Sequence, residues 1–575
     1  MKFIKIRFIF LLLIFSISLL SQYDEKTIYL KQADNLTKRK QYEKANEIYE
    51  IILEKYPIDY RVVRKLINNF LITSKLEKAE NLLDKHQGIF PEIDQTTLRI
   101  TILIRKGKPA KAYNLAKNFL KDNSGKINYY RVISSVFEQN RQNENAIKIQ
   151  IKARNIAGDE YLFTRELAAN YQNVKEYDKA IQEYLKHLEQ NKSYFHYVIN
   201  QVKRILNDDE KQVKAVEEFA GNSENEQVIE VVALSLAYIG KYEKALLQYD
   251  LLDKNKLRNY ADELFAADNY DVAEQAYNQY IQKIKEPNLI ADARIKIAQM
   301  FILQNNLEEA EKILLQIYND KELQKVKYRY RTKANRFCRE ILADIAIRQN
   351  ESNELILNYL YEAKFYTHNQ KEQKEVEFEI IHFLIMTDHL ESGKEKLKNL
   401  LYEEEQGSEI FKLGYYYAFL IAEMENDEAA DSLLGELIIN IPENELVNNA
   451  LLFSLITTNL QGTTREDFLD AFRKRQLYKI EEAINLLFSI YEETQNEEML
   501  ILAGDWAWQS GDFFQAEIIF SQEFKNEILA DYALLKLTQL TYDREERNVM
   551  ITEFLKTNSQ SVFSPGFRQL LEEKQ

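Results

Sequence analysis

A small residue recurs about every 34 positions along this chain, and it recurs in fixed company. The series is Ala45, Ala79, Ala112, Ala146, Ala180, Ala245, Ala273, Ala310, Gly393, Ala430 and Ala516. Its first five members stand 34, 33, 34 and 34 residues apart. Three positions earlier there is often a bulky residue, as at Tyr42, Leu76, Tyr177, Tyr242, Tyr270, Leu307, Leu390 and Phe513. Four positions later comes another, as at Tyr49, Leu83, Tyr184, Tyr249, Tyr277, Leu314, Leu397, Leu434 and Phe520. Offsets of three and four place these side chains on one helix face. A period of this length is that of stacked helical hairpins, each burying its apolar face on its neighbours.

The first hairpin shows the physics. Tyr29, Ala33 and Leu36 line one face of a first helix, Lys38 to Gln41 form a polar turn, and Tyr42, Ala45, Ile48, Tyr49 and Ile52 line a second helix that Pro57 ends. Ala33 and Ala45 mark the close approach of the two axes, which any larger side chain would push apart. A small residue stands twelve positions before the series member again at Ala168, Ala233, Ala261, Ala298, Ala418 and Gly504. Proline follows twelve positions after it at Pro57, Pro91 and Pro442, half of the chain's 6 prolines. This pattern resembles the tetratricopeptide repeat over roughly residues 26 to 526. Leu167-Ala168 with Tyr171, and Ala503-Gly504, match its first-helix signature closely. The register is irregular between Ala310 and Gly393, where Leu355 takes the small residue's place, and ambiguous between Ala430 and Ala516.

At 575 residues the chain exceeds one compact core, and with only 14 Gly its helices are joined by short polar turns. Its formal charge of −15 argues against a nucleic-acid partner, which needs a basic face. The single cysteine, Cys338, excludes an internal disulfide and reads as a small buried hydrophobe. Lys2, Lys5 and Arg7 precede an apolar run from Phe8 to Leu20. About 13 apolar residues suit a secretory signal, whereas a membrane span needs about 20. Residues 1–21 therefore read as a signal peptide of a bacterial protein exported to the periplasm or cell envelope; the alternative is an inner-membrane anchor kept at residues 8–20.

The resemblance implies that a peptide or protein partner lies along the concave face made by first-helix side chains. Arg61, Arg64 and Asn68 of the second repeat and Arg131 of the fourth would project there, with Arg61 and Arg64 one turn apart and able to hold a carboxylate. A second candidate is the basic stretch Lys325, Lys327, Arg329, Arg331 and Lys333, interleaved with Tyr328 and Tyr330, a local sign reversal suited to an anionic partner, phospholipid headgroups or cell-wall polymer. Pairing of these cations with neighbouring acidic helices is its structural alternative. His382 and His389 do not make a metal site by spacing, and there is no phosphate loop, nucleophile elbow or His-Glu-x-x-His. Trp506 and Trp508 read as packing or groove-facing residues. No catalytic residue, cofactor or metal is expected.

These readings converge on an all-α superhelical solenoid of stacked antiparallel helix pairs, about 12 to 14 hairpins long. We expect an N-terminal block over 22–320, a basic irregular hinge at 321–332, a degenerate block over 333–526 and capping helices over 527–575. The expected function is a non-enzymatic protein–protein interaction scaffold of the cell envelope, with peripheral contact to membrane or wall polymer through the basic stretch. The alternatives are a membrane-tethered assembly factor and an envelope polysaccharide-processing enzyme, the latter needing two carboxylates about 5 to 9.5 Å apart in a cleft.

Overall fold

The computed structural model describes residues 25–220, 223–325, 332–387, 389–402, 408–440 and 445–572. Among them every regular element is a helix, and successive helices pair as antiparallel hairpins in a tetratricopeptide-like array. The chain divides into two compact units, Met1–Ala266 and Ala267–Gln575.

The first unit holds α1 (25–38), α2 (Tyr42–Lys55), α3 (Tyr60–Ile72), α4 (Leu76–Lys85), α5 (Glu92–Arg105), α6 (Pro109–Asp122), α7 (Ile127–Gln139), α8 (Asn143–Ala157), α9 (Thr164–Asn173), α10 (Tyr177–Gln190), α11 (Phe195–Asp208), α12 (Val213–Ala220), α13 (Glu226–Tyr238), α14 (Tyr242–Tyr249) and α15 (Lys254–Ala266). The second holds α16 (Tyr270–Lys283), α17 (Pro287–Leu303), α18 (Leu307–Tyr318), α19 (Ala334–Arg348), α20 (Asn353–Phe365), α21 (Gln370–Met386), α22 (Leu390–Tyr402), α23 (Glu409–Glu425), α24 (Ala429–Asn440), α25 (Glu445–Asn459), α26 (Thr463–Gln476), α27 (Ile480–Thr494), α28 (Glu498–Gln509), α29 (Phe513–Phe520), α30 (Glu527–Leu540), α31 (Arg544–Thr557) and α32 (Ser564–Glu572).

Most of the hairpins share one kind of turn. Where the first helix ends, a single residue takes the left-handed conformation: Lys40, Ser74, Gly107, Arg141, Lys175 and Gly240 in the first unit, Asn305, Tyr478 and Gly511 in the second. The next amide then reaches back over the helix end, Gln41 to the Leu36 carbonyl at 2.9 Å, Lys75 to Phe70 at 2.8 Å, Lys241 to Leu236 at 2.9 Å and Lys479 to Lys474 at 2.8 Å. This six-to-one bond satisfies carbonyls that a helix terminus otherwise leaves orphaned. The second helix starts on the very next residue, which is the bulky member of the repeat: Tyr42, Leu76, Tyr177, Tyr242, Leu307 or Phe513. The small residue is thus the fourth of its helix, and Ala45, Ala79, Ala112, Ala146, Ala180, Ala245, Ala310 and Ala516 are all fully buried. Their partners twelve positions earlier, Ala33, Ala168, Ala233 and Ala298, are fully buried as well. Room left by the small pair is filled by the ring or branch four positions on, such as Tyr49, Tyr184, Leu83 and Leu314, each burial contributing roughly 1.5–3 kcal/mol.

Rungs tie one hairpin to the next across about one period. Lys65 meets Asp34 at 2.5 Å, the Arg105 guanidinium donates to the Leu71 carbonyl at 2.5 Å, and Lys256 meets Glu230 at 2.8 Å. In the second unit Lys394 meets Glu425 at 2.6 Å, and the Thr457 hydroxyl donates to Glu423 at 2.5 Å. The exposed ion pairs among them contribute about 0–1 kcal/mol each, so they align a stack that apolar burial holds together.

Several expectations need correction. Of the expected hinge at 321–332, residues 326–331 lie outside the described residues; Leu323 on one side and Ala334 and Cys338 on the other join Ala310, Leu314, Ile356 and Leu360 in one apolar cluster, and the two compact units divide at Ala266/Ala267. In α20 the fourth, buried residue is Ile356; Leu355 is only partly buried. Between Ala430 and Ala516 the sequence hides a further repeat: Ala483, fourth in α27, is fully buried with Ala471 twelve before it and Leu487 four after. The expected capping region holds three helices, α30, α31 and α32, and the Phe567 ring of the last stacks on Phe554 at 3.9 Å. The apolar run at residues 8–20 lies outside the described residues, among which no helix is long and apolar enough to cross a membrane.

Candidate functional site

Arg61, Arg64 and Asn68 are exposed on the first helix α3, and Arg131 lies on the first helix α7. Two of them are already engaged. Arg64 meets Asp94 of the next hairpin at 3.1 Å, and Arg131 meets Glu166 at 3.1 Å with its guanidinium 4.6 Å from the Phe163 ring. Arg64 and Arg131 thus each reach an acid of the following hairpin, while the Arg61 side chain beside Arg64 is exposed. Of the basic stretch, Lys327, Arg329 and Arg331 lie outside the described residues; Lys325 pairs with Glu322, and Lys333 meets Glu372 at 2.7 Å. Burial opposes charge on Glu372, but Lys333 and the His368 amide outweigh it and hold the carboxyl at about 2. Further along, Arg336 is buried between Glu340 at 2.6 Å and Glu375 at 3.1 Å. Arg339, also buried, donates to Glu362 at 2.7 Å between the rings of Tyr318 and Tyr366, 4.6 and 4.4 Å away. These four described cations pair with acidic neighbours, the structural reading of the stretch.

A concavity lies in the second unit, where the first helices α19, α21 and α23 each contribute lining residues. A cavity of about 750 Å³ opens between them. Its floor is apolar, from Ile341, Ile347, Phe378, Phe383 and Leu413, and its polar groups are Glu340, Asp344, Glu375, Glu379, His382 and Tyr417. Tyr478 closes it from the α26–α27 turn, with the Arg348 guanidinium 4.3 Å from its ring. That turn position elsewhere carries Lys, Ser, Gly, Arg, Asp or Asn, and a tyrosine at φ 60° is a strained choice. Asp344 holds Arg348 at 2.9 Å, so an ion pair anchors the ring that roofs the cavity.

The electrostatics of the cavity are uneven. Glu340 and Glu375 share Arg336, Asp344 has Arg348, and Glu409 has Lys412 at 2.8 Å. Among the described residues Glu379 has neither an ion-pair partner nor a hydrogen bond. Its carboxyl is exposed, but into a cleft walled by protein. That desolvation, with the neighbouring Glu340 charge and against the attraction of Arg336, pushes it up to about 8. Three residues on, burial lowers His382 to about 4, so its ring is neutral, and Nδ1 lies 3.0 Å from the Tyr417 hydroxyl. Burial pushes the Tyr417 phenol up, which keeps its proton available for that bond.

A smaller cavity of about 370 Å³ holds Trp506, Phe453, Phe468 and Arg475, whose guanidinium is 5.0 Å from the Trp506 ring. Trp508 faces Lys536 at 4.2 Å. His389 sits at the start of α22, 3.3 Å from the Thr387 hydroxyl. No group of three or more His, Cys, Asp or Glu placed to hold a metal ion occurs among the described residues. Sequence reasoning passed over Glu379, Tyr417 and Tyr478. The one available signal was Tyr478, five positions before the unnoticed Ala483, where a left-handed turn residue belongs.

No protein-family model matches the chain, and a search of curated proteins finds no match. Among solved structures it aligns with the APC/C hetero-tetramer Cut9-Hcn1 at 12% identity and TM-score 0.25, over 92% of this chain and 96% of that one. It also aligns with Naa15/Naa10 bound to HypK-THB at 12% identity and TM-score 0.22, over 93% of this chain and 89% of that one.

Proposed function

We propose that this chain is a non-enzymatic scaffold that binds peptide or protein partners along the first-helix faces of its hairpins, exported from a bacterial cytoplasm into the cell envelope. One observation carries the reading. The short seam residues lock each second helix onto its first, while three neighbouring first helices turn polar and apolar side chains together into one cavity of ligand-site size. Photo-crosslinkers placed in the full chain at the first-helix positions Asn68, Arg131 and Lys371, and at the second-helix positions Glu47 and Lys148, test it. Partners trapped from first-helix sites support the scaffold; trapping from second helices alone refutes it.

A second reading, an envelope polysaccharide-processing enzyme, is favoured by one feature, the protonated Glu379 carboxyl beside other acids. Its neighbours Glu340, Glu375 and Asp344 are each held by an arginine, which leaves no free second carboxylate to act as base or nucleophile. Release of reducing ends from wall polymer that disappears in Glu379→Gln would establish this reading in place of the scaffold. Whether the protein is free or tethered follows from the mass of its mature N-terminus: a start near Gln22 supports export as a free protein, and an intact Met1 supports the anchor.

A further inference from the structure

We propose that the cavity between α19, α21 and α23 receives a lysine or arginine side chain from an extended segment of a protein partner, its cationic head on the Glu379 carboxylate and its methylene stem along Phe378, Phe383 and Leu413. The inference rests on the scaffold reading for the nature of the partner, and it adds the chemistry that the partner must present.

Charge complementarity selects the occupant. Every other carboxylate lining the cavity has an ion-pair partner in this chain, Glu340 and Glu375 sharing Arg336, and among the described lining residues Glu379 alone has none. Lys371 also lines the cavity, but it lies eight residues earlier on the same helix, roughly 12 Å away along the axis. An anion would meet four further carboxylates and an uncharged histidine. A neutral apolar group would leave Glu379 without a partner. A cation on an apolar stem satisfies both the acid and the floor, as such side chains do wherever a polar rim borders an apolar surface. The net charge of −15 draws a basic segment toward the chain at long range.

The roof supplies the second, independent observation. Tyr478 stands in the turn at φ 60°, and the Arg348 guanidinium, 4.3 Å from its ring, keeps that ring over the cavity. A ring in that place offers the incoming cation a π face.

Binding would be linked to protons. The groups facing Glu379 are Arg336, Glu340 and Asp344 from α19, Glu375 and His382 from α21, Glu409 and Tyr417 from α23, and Tyr478 from the turn. His382, near 4, stays neutral across pH 6.5 to 9, burial pushes the Tyr417 and Tyr478 phenols up, and burial also raises Glu340 against the pull of Arg336. A bound cation expels the Glu379 proton, so affinity should rise about tenfold per pH unit from 6.5 toward 8 and then level off.

Fluorescence anisotropy on the full chain tests this with a labelled octapeptide alternating Leu and Lys, and its counterpart with Gln for Lys. We expect the basic peptide alone to bind, with the stated pH dependence. In Glu379→Gln the affinity should fall at least tenfold at pH 8 and lose its pH dependence, and this substitution removes an unpaired carboxyl, so folding is not at risk. Equal binding of the Gln peptide, or unchanged binding by Glu379→Gln, overturns the proposal. Saturation by pentylamine as tight as by the peptide also overturns it, as a small-amine site. If the cavity fails this test while first-helix crosslinks persist, the scaffold stands without it. If the peptide binds as expected but no partner crosslinks anywhere, the scaffold reading fails on its own.

Discussion

At Gly504 a methyl group would stand 2.6 Å from Cε1 of Phe520, far inside van der Waals contact. The pair shows why the residue twelve positions before the seam alanine stays small: it leaves space for the ring four positions after. Gly504→Ala should therefore lower stability by about 1–3 kcal/mol, as overpacking does. Urea denaturation checks this, and Phe520→Leu in the same background should restore most of the loss; full stability in the single variant would mean that the ring yields freely. Glu379 makes a prediction of opposite origin. Its folded carboxyl holds a proton up to about 8, far above an unfolded glutamate. The unfolded chain ionises first, so this group's contribution is intact at low pH and is lost as pH rises through 8. His382 works the other way, its contribution being present above 6.5 and lost as pH falls toward 4. Above pH 6.5, of these two groups only the Glu379 slope remains. The melting temperature should fall between pH 6.5 and 9 in the wild type and fall less in Glu379→Gln; identical slopes would remove Glu379 as the cause.

Among the elements, the hairpin turn separates backbone preference from packing. Gly240 has φ 74° and open space around its Cα, so Gly240→Ala should cost about 1 kcal/mol through the backbone alone. Lys175 occupies the same turn position, exposed, at φ 62°, and Lys175→Gly should gain a comparable amount. Chemical denaturation of the two variants should move in opposite directions; a shift of the same sign would show that the side chains dominate. In α19 the decisive element is ionic. Arg336 holds Glu340 and Glu375 together while itself buried, and Arg336→Ala leaves those acids facing one another. We expect a loss of roughly 3–5 kcal/mol, read by thermal melting, because removing one partner strands buried charge. These cations were legible in the sequence as a basic stretch, but their pairing was not, since the acids that hold them come from other helices. Ala483 escaped for a simpler reason: Ile480 stands where other repeats carry Tyr, Leu or Phe, although Ala471 and Leu487 sit at the proper offsets.

For the molecule as a whole, the periodic alanines were enough to read the architecture, because each unit repeats one contact rule that a single sequence displays many times. The cavity was not readable in that way. Glu340, Glu379 and Tyr417 lie more than a period apart in sequence and meet only when successive first helices are laid side by side, and Tyr478 arrives from a turn that folds back to Arg348. In such arrays each hairpin touches mainly its neighbours, so damage should spread over short distances. Ala79→Leu, which overpacks the second hairpin, should lower amide protection most in α3 to α6 and progressively less beyond them. Hydrogen exchange that falls evenly from α1 to α15 would instead show one cooperative block. The left-handed turn residues carry one more consequence. Gly107 and Arg141 end equivalent helices with matching backbone geometry, so the chain can be cut after each and rejoined, Gly107 to Gln142, without a mismatch at the suture. A gene that loses or duplicates one such interval keeps its reading of structure, which makes length itself the cheapest trait for this protein to change.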